Sequence, residues 1–307
     1  MQKCKNNSLT MQTRVTVIGG VNLDITATLR GDFVRADSNP GRLSLACGGV
    51  ACNIAQNLQL LEHDVQFVTV FGGDAFGKMC HDQCQRMGLD LSLSRVCEHS
   101  RNGIYLCVND REGEMMAAVV DNDIMEQMTP AFLAERIEAL NDSAVVVADT
   151  NLSAEALQYL IDHCTAPLIV DAVSTAKAGR IVEALEMSKK KQLFCLKLNH
   201  HEAQSLTGSE TLEEATRTLV DLGVEHVYVT LGAEGVLCGN GKEMCRYEAQ
   251  SVQVVNTTGA GDAFVAGIVH GHLLGLPMEQ VVEIGQKAAS AALMTMKTVN
   301  AEIKKYI

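Results

Sequence analysis

Short runs of Val, Ile and Leu recur along the chain, at residues 14–19, 65–71, 144–148, 167–171, 193–198 and 226–231. They are apolar at nearly every position, which predicts strands covered on both faces. Between them the apolar spacing changes to three and four, as at Ala51, Ile54, Leu58 and Leu61, which predicts helices with one buried stripe. Strand and helix alternate over most of the length. The pattern therefore implies an α/β fold with a mainly parallel central sheet flanked by helices.

Two segments break the alternation. Residues 24–47 and 102–120 read as short strands joined by turns, marked by Ser38-Asn39-Pro40-Gly41 and Asn109-Asp110-Arg111-Glu112-Gly113. They are expected to pair into a small separate sheet that acts as a lid. The first residues, MQKCKNNSLTMQT, lack an apolar stretch of the kind a signal peptide needs, so residues 1–12 read as a flexible leader. No repeat, low-complexity tract or linker divides the rest.

Composition narrows the function. Hydrophobic residues make up 47% and charged residues 20% of the chain, enough for a substantial core. No run approaches the ~18 consecutive apolar residues of a membrane helix, and a cytoplasmic location is expected. The formal net charge of −12 argues against nucleic acid as a partner, which would need clustered Lys and Arg. The one basic run, Lys189-Lys190-Lys191, reads as a solvated helix end.

Eleven cysteines raise the question of disulfides or zinc. There is no C-x-x-C pair, and the spacings of Cys47 with Cys52 and Cys80 with Cys84 fit no usual set of metal ligands. Cys107, Cys195 and Cys238 sit in apolar, strand-like runs. All are read as reduced thiols packed like small hydrophobes.

The sharpest chemical signal is Asn256-Thr257-Thr258-Gly259-Ala260-Gly261-Asp262-Ala263-Phe264, placed after a strand-like run at 252–255 and opening an apolar helix. Small residues at 259–261 let a ligand approach the backbone, and free N–H groups at a helix start favour anions. A carboxylate beside such an anion hole can take a proton from a hydroxyl while the N–H groups stabilise a transferred phosphoryl group. The G-x-x-x-x-G-K-[ST] motif of P-loop enzymes is missing, as is a G-x-G-x-x-G in a first β-α turn. The candidate catalytic set is thus Asp262 with Gly259, Ala260 and Gly261.

This segment resembles the C-terminal signature of the ribokinase (PfkB) family of carbohydrate kinases. The family's other signature is matched by Gly48-Gly49-Val50-Ala51-Cys52-Asn53-Ile54-Ala55. The resemblance implies a ribokinase-like three-layer sandwich over residues 13–307, ATP as co-substrate and Mg²⁺ as cofactor. It also implies a substrate site at Asn22, Asp24, Gly48, Gly49 and Asn53. Lys197, Asn199, Thr230, Gly232 and Gly235 would bind ATP, and Glu202 with Asn199 would support the magnesium ion through water. Relatives often dimerise through the lid, so a homodimer is expected.

Within the family, the segments 36–41, 53–58, 147–151 and 170–174 are most similar to the pseudouridine kinases. Asn151 stands where ribokinases tend to carry a carboxylate, and an amide suits a nucleoside with a uracil face. The implied reaction is phosphorylation of the 5′-hydroxyl of pseudouridine, with Asp262 as base. The alternative is a family kinase acting on ribose, fructose or another nucleoside. Asn256 and Thr298 replace residues that help build a monovalent-cation site in ribokinases, so potassium activation is doubtful.

Overall fold

The computed structural model describes residues 14–307, and the expected leader at 1–12 lies outside the described residues. The chain begins with β1 (Arg14–Ile18), β2 (Asn22–Leu29), β3 (Gly41–Gly48) and α1 (Val50–Leu60). It continues through β4 (Asp64–Val68), β5 (Val70–Gly72), α2 (Ala75–Arg86), β6 (Arg95–Cys97), β7 (Gly103–Asn109) and β8 (Met115–Asp121). Short helices α3 (Pro130–Ala134) and α4 (Ile137–Asn141) lead to β9 (Val145–Asp149), α5 (Ala154–His163), β10 (Leu168–Asp171) and α6 (Thr175–Met187). Then follow β11 (Leu193–Asn199), α7 (His200–Thr207), α8 (Leu212–Asp221), β12 (Val224–Thr230), β13 (Val236–Asn240) and β14 (Met244–Tyr247). Helices α9 (Ala260–Leu273) and α10 (Met278–Leu293) complete the fold.

Eight strands form the main sheet in the order β14-β13-β12-β11-β10-β9-β1-β4. The six from β12 to β4 run parallel, and β13 and β14 close one edge as antiparallel additions. The reason for continuous apolar runs is visible in β9. Val145 and Val147 pack on one face with residues of α1, α2 and α9, while Val146 and Ala148 pack on the other with residues of α3, α5, α6 and α8. Both faces are dry, so neither parity can be polar. The result is a three-layer sandwich with the parallel strands ending along one edge.

The two irregular segments form a four-stranded sheet, β3-β2-β7-β8. Its registers pair Asn22 with Gly48 on one side and with Gly103 on the other, so one row of the small sheet meets the core at the end of β1. Further out the sheet is uncovered. Every residue of β8 is exposed, and Leu43, Leu45, Met115 and Val119 present apolar side chains to solvent.

Three sequence readings change. The run at 65–71 is two strands, because buried Thr69 leaves the ladder: its hydroxyl donates to the Gly19 carbonyl at 2.7 Å and its N–H donates to Ser94 Oγ at 3.1 Å. The run at 252–255 is no strand, since β14 already forms that edge. Instead the Val255 and Asn256 N–H groups both donate to the Leu293 carbonyl at the end of α10, at 2.7 and 3.3 Å. The third concerns the cysteines, which among the described residues are free and mostly buried as read, but three of which converge despite their spacing. Cys47 from β3, Cys52 from α1 and Cys84 from α2 meet with their sulfurs 3.7 to 4.0 Å apart. Their separation along the chain concealed that convergence.

Candidate active site

The parallel strands end in polar residues on one edge: Asp149 on β9, Asp171 on β10, Lys197 and Asn199 on β11, and Thr230 on β12. Such an edge is where open α/β sheets bind ligands. Helix α9 begins above it. Gly259 precedes the helix at φ 83°, in the left-handed region, and a side chain there would strike the Thr298 carbonyl, 2.2 Å from an added Cβ. The Thr258 N–H is held by Asn256 Oδ1 at 3.1 Å. Beyond that point the backbone opens: the N–H groups of Gly261 and Asp262 have no protein acceptor among the described residues. They are two of the unsatisfied donors of a helix start, at the positive end of its dipole.

Asp262 follows in the first turn, buried, and its Oδ2 accepts a hydrogen bond from Asn53 Nδ2 at 2.8 Å. Burial pushes its carboxyl up to about 7, reinforced by the nearby charge of Asp171 and opposed by Asn53 and Lys197. A carboxylate poised there holds or gives up a proton near neutrality. Lys197 lies beside this turn, its Nζ 2.8 Å from where a Cβ on Gly261 would sit. It is buried and paired with Asp171 at 3.0 Å. Burial works against its charge, but the carboxylates of Asp171, Glu202 and Asp262 outweigh that and hold its pKa above the ordinary value.

Thr230, Gly232 and Gly235 line the same cavity as Thr257, Ala260 and Gly261, a cleft of about 620 Å³. The structure thus brings together three of the five residues expected to bind ATP with the Gly-Ala-Gly turn. A larger cavity of about 1030 Å³ lies at the opposite, N-terminal edge of β11 and β12, away from these groups. Asn199 and Glu202 close on each other as a capping box at the start of α7. Asn199 Oδ1 accepts from the Glu202 N–H, while the Asn199 backbone N–H and Nδ2 each donate to a Glu202 oxygen at 2.7 Å. Neither residue lines the cleft.

The small sheet carries the remaining candidates. Asp24 on β2 is paired with Ala46, and its side chain reaches diagonally to Gly48, where an added Cβ would collide with the carboxylate at 2.0 Å. Burial raises Asp24 to about 7, with a further push from Cys52. The Asn22 Oδ1 and Asn53 Oδ1 atoms are buried without a protein partner. Gly49 joins β3 to α1, and Asn53 in α1 gives one N–H of its amide to Asp262, which leaves its oxygen and the second N–H for a ligand. Asn151 Oδ1 accepts from Lys177 Nζ at 2.6 Å and from Asn122 Nδ2 at 3.2 Å. Its NH₂ group therefore remains to donate, beside the buried and unpartnered Asn122 Oδ1.

Sequence reasoning gave no role to Asp149, Asp171, Asn122 or Lys177. Asp149 is wholly buried and accepts from the N–H groups of Gly20, Ala51 and Asn151 at 3.2, 3.1 and 2.9 Å. It thereby ties the ends of β1 and β9 to the start of α1. The signal available was an aspartate closing an apolar run, at 149 and again at 171. Asn122 and Lys177 carried none, because they reach Asn151 only through the tertiary fold.

Comparison with known proteins agrees with this arrangement. Residues 12–305 match the pfkB family carbohydrate kinases. The chain is 30% identical to the pseudouridine kinase of Escherichia coli (strain K12), over 94% of this chain and 93% of that one. It is 25% identical to the guanosine-inosine kinase of Exiguobacterium acetylicum, over 91% and 94%. The fold superposes on Arabidopsis thaliana ribokinase, solved with ribose and ATP, with a TM-score of 0.83 at 20% identity, covering 96% and 99%. The chain belongs to the PfkB family of carbohydrate kinases and has the ribokinase-like fold.

Proposed function

We propose that the protein transfers the γ-phosphoryl group of ATP to the 5′-hydroxyl of pseudouridine. One observation carries the kinase chemistry: a buried carboxylate, Asp262, stands next to two unpaired backbone N–H groups at a helix start whose Ala260 and Gly261 line a cleft of about 620 Å³. Asp262 takes the hydroxyl proton as the oxygen attacks. The new O–P bond forms as the bond to the β–γ bridging oxygen breaks, leaving ADP. The Gly261 and Asp262 amides meet the charge on the transferred group, and Lys197 adds a fixed positive charge beside them. Thr230, Gly232 and Gly235 border the nucleotide.

Asn22, Asp24, Gly48, Gly49 and Asn53 frame the acceptor, with Asp24 and the Asn53 oxygen accepting from its hydroxyls. The base choice rests on Asn151 and Asn122. One offers N–H donors and the other an amide oxygen, a pair that suits a pyrimidine carrying both carbonyls and ring N–H groups. Pseudouridine has one more ring N–H than uridine. The similarity to a pseudouridine kinase favours the same reading.

Magnesium fits the chain's donors through Glu202. Each of its oxygens takes one N–H and keeps a lone pair, which suits water-mediated contact, while Asn199 holds the carboxylate in place. When bound, the ion would neutralise charge on the phosphates. A monovalent-cation site is not supported, because Asn256 spends its side chain on Thr258 and the Met296 carbonyl. The small sheet would close over substrate and exclude water. Its exposed apolar residues would pair two copies into a dimer, and the enzyme would act in the cytoplasm.

The second reading, a kinase for ribose, fructose or another nucleoside, is favoured by the similarity to a guanosine-inosine kinase. ADP release across pseudouridine, uridine, guanosine, ribose and fructose separates the two. The highest kcat/KM is expected for pseudouridine, and equal values across the panel contradict the substrate assignment.

A further inference from the structure

Behind the substrate-facing turn lies a group of sulfurs that phosphoryl transfer does not use. Cys47 is the penultimate residue of β3, just before Gly48, Cys52 lies in the first turn of α1 just before Asn53, and Cys84 sits on α2. Their sulfurs form a nearly equilateral triangle with sides of 3.7, 3.9 and 4.0 Å, and all three residues are buried. Cys80, one turn before Cys84 on the same helix, lies outside this triangle.

The dimensions are those of a metal site. Zinc–sulfur bonds of about 2.3 Å place tetrahedral ligands about 3.8 Å apart and trigonal ones about 4.0 Å apart. The surroundings suit thiolates too. Gln56 Nε2 points its N–H at Cys52 sulfur at 3.3 Å. Amide donors aimed at ligand atoms are the usual outer support of a metal centre. Ordinary packing would bring aliphatic carbon to these sulfurs and would need no amide donors.

We infer that Cys47, Cys52 and Cys84 bind a thiophilic d¹⁰ cation, zinc(II) or copper(I), through their three sulfurs. Soft sulfur-only ligands in an apolar setting select such ions over magnesium or calcium. Each thiol gives up its proton on binding, so affinity rises with pH. The occupied site would fasten β3, α1 and α2 together, the elements that carry Gly48, Gly49 and Asn53. It stands independently of the proposed substrate.

The test is titration of the reduced full-length chain with cobalt(II), read by thiolate-to-cobalt charge-transfer absorption. One equivalent is expected to bind. The band is expected to be lost in Cys52→Ser and Cys84→Ser and kept in Cys245→Ser, a partly exposed thiol elsewhere. Displacement by zinc(II) or by buffered copper(I) identifies the preferred ion. A second measurement avoids variants: at free zinc(II) ten times Kd, alkylation of Cys47, Cys52 and Cys84 in the wild-type chain should slow about tenfold, as linkage requires. A chain that shows no charge-transfer band, or a band that survives both substitutions, overturns the assignment. So does alkylation at these three cysteines that zinc leaves unchanged.

Discussion

Helices α1 and α9 each begin at a glycine with positive φ, yet their first turns are filled differently. At α1 the Ala51 N–H is taken by Asp149 at 3.1 Å and the Cys52 N–H by the Gly20 carbonyl at 3.4 Å. At α9 the equivalent donors of Gly261 and Asp262 have no protein partner among the described residues. A helix start binds an external anion only where the protein does not supply one of its own. Glycine-rich turns before helices therefore look alike in sequence and diverge in use. The turn at 48–49 joins two layers and leaves room for Asp24, whereas the turn at 259–261 leaves amide donors without a protein acceptor among the described residues, for the phosphate proposed above.

The largest effect should come from replacing the carboxylate at the open turn. Asp262→Asn should lower kcat by roughly 10²–10⁴-fold, the range for a positioned base, with ATP binding retained. Its stability should move the other way. Burial raises the folded pKa of Asp262 to about 7, so the folded state holds the proton more tightly than the unfolded one. The stability this contributes is present in acid and is lost as pH rises toward 7. The neutral Asn should therefore raise Tm at pH 8 and have little effect near pH 4, measured by calorimetry.

The filled turn should behave in the opposite sense. Asp149→Ala leaves three buried N–H groups without their acceptor and should cost about 2–4 kcal/mol in denaturant unfolding. Were Asp149→Ala to unfold no more easily than wild type while Asp262→Asn lost stability, the roles assigned to the two helix starts would be reversed.

The smallest effect sharpens the link between them. Asn53 donates from α1 to the carboxylate of α9 and lowers its pKa. In Asn53→Ala the acid limb of kcat/KM against pH should move upward from about pH 7. The loss should reach about tenfold at neutral pH and shrink in alkali, because a lost hydrogen bond to a charged group is worth about that much. A loss independent of pH would assign Asn53 to substrate contact alone.

How much of this could be read from the chain follows from the range of each interaction. The continuous apolar runs of β1, β9, β10, β11 and β12 were legible because burial on both faces leaves no polar parity. The Gly-Ala-Gly-Asp segment was legible because its chemistry is contained in one turn. The run at 252–255 was misleading, since valine content speaks for a strand only where an edge is free to receive it. Asp149 was visible as a letter but not as a ligand for α1, because its partners Gly20 and Ala51 are distant in sequence. The cysteine triangle was hidden for the same reason, its three sulfurs coming from β3, α1 and α2.

The central claim is that the first-turn amides of α9, and not those of α1, receive phosphate. Amide chemical shifts of the ¹⁵N-labelled chain, followed during titration with a non-hydrolysable ATP analogue, test it directly. The account predicts large saturable shifts at Gly261 and Asp262, with Ala51 and Cys52 almost still. Large shifts at Ala51 and Cys52, with Gly261 and Asp262 unmoved, would contradict it.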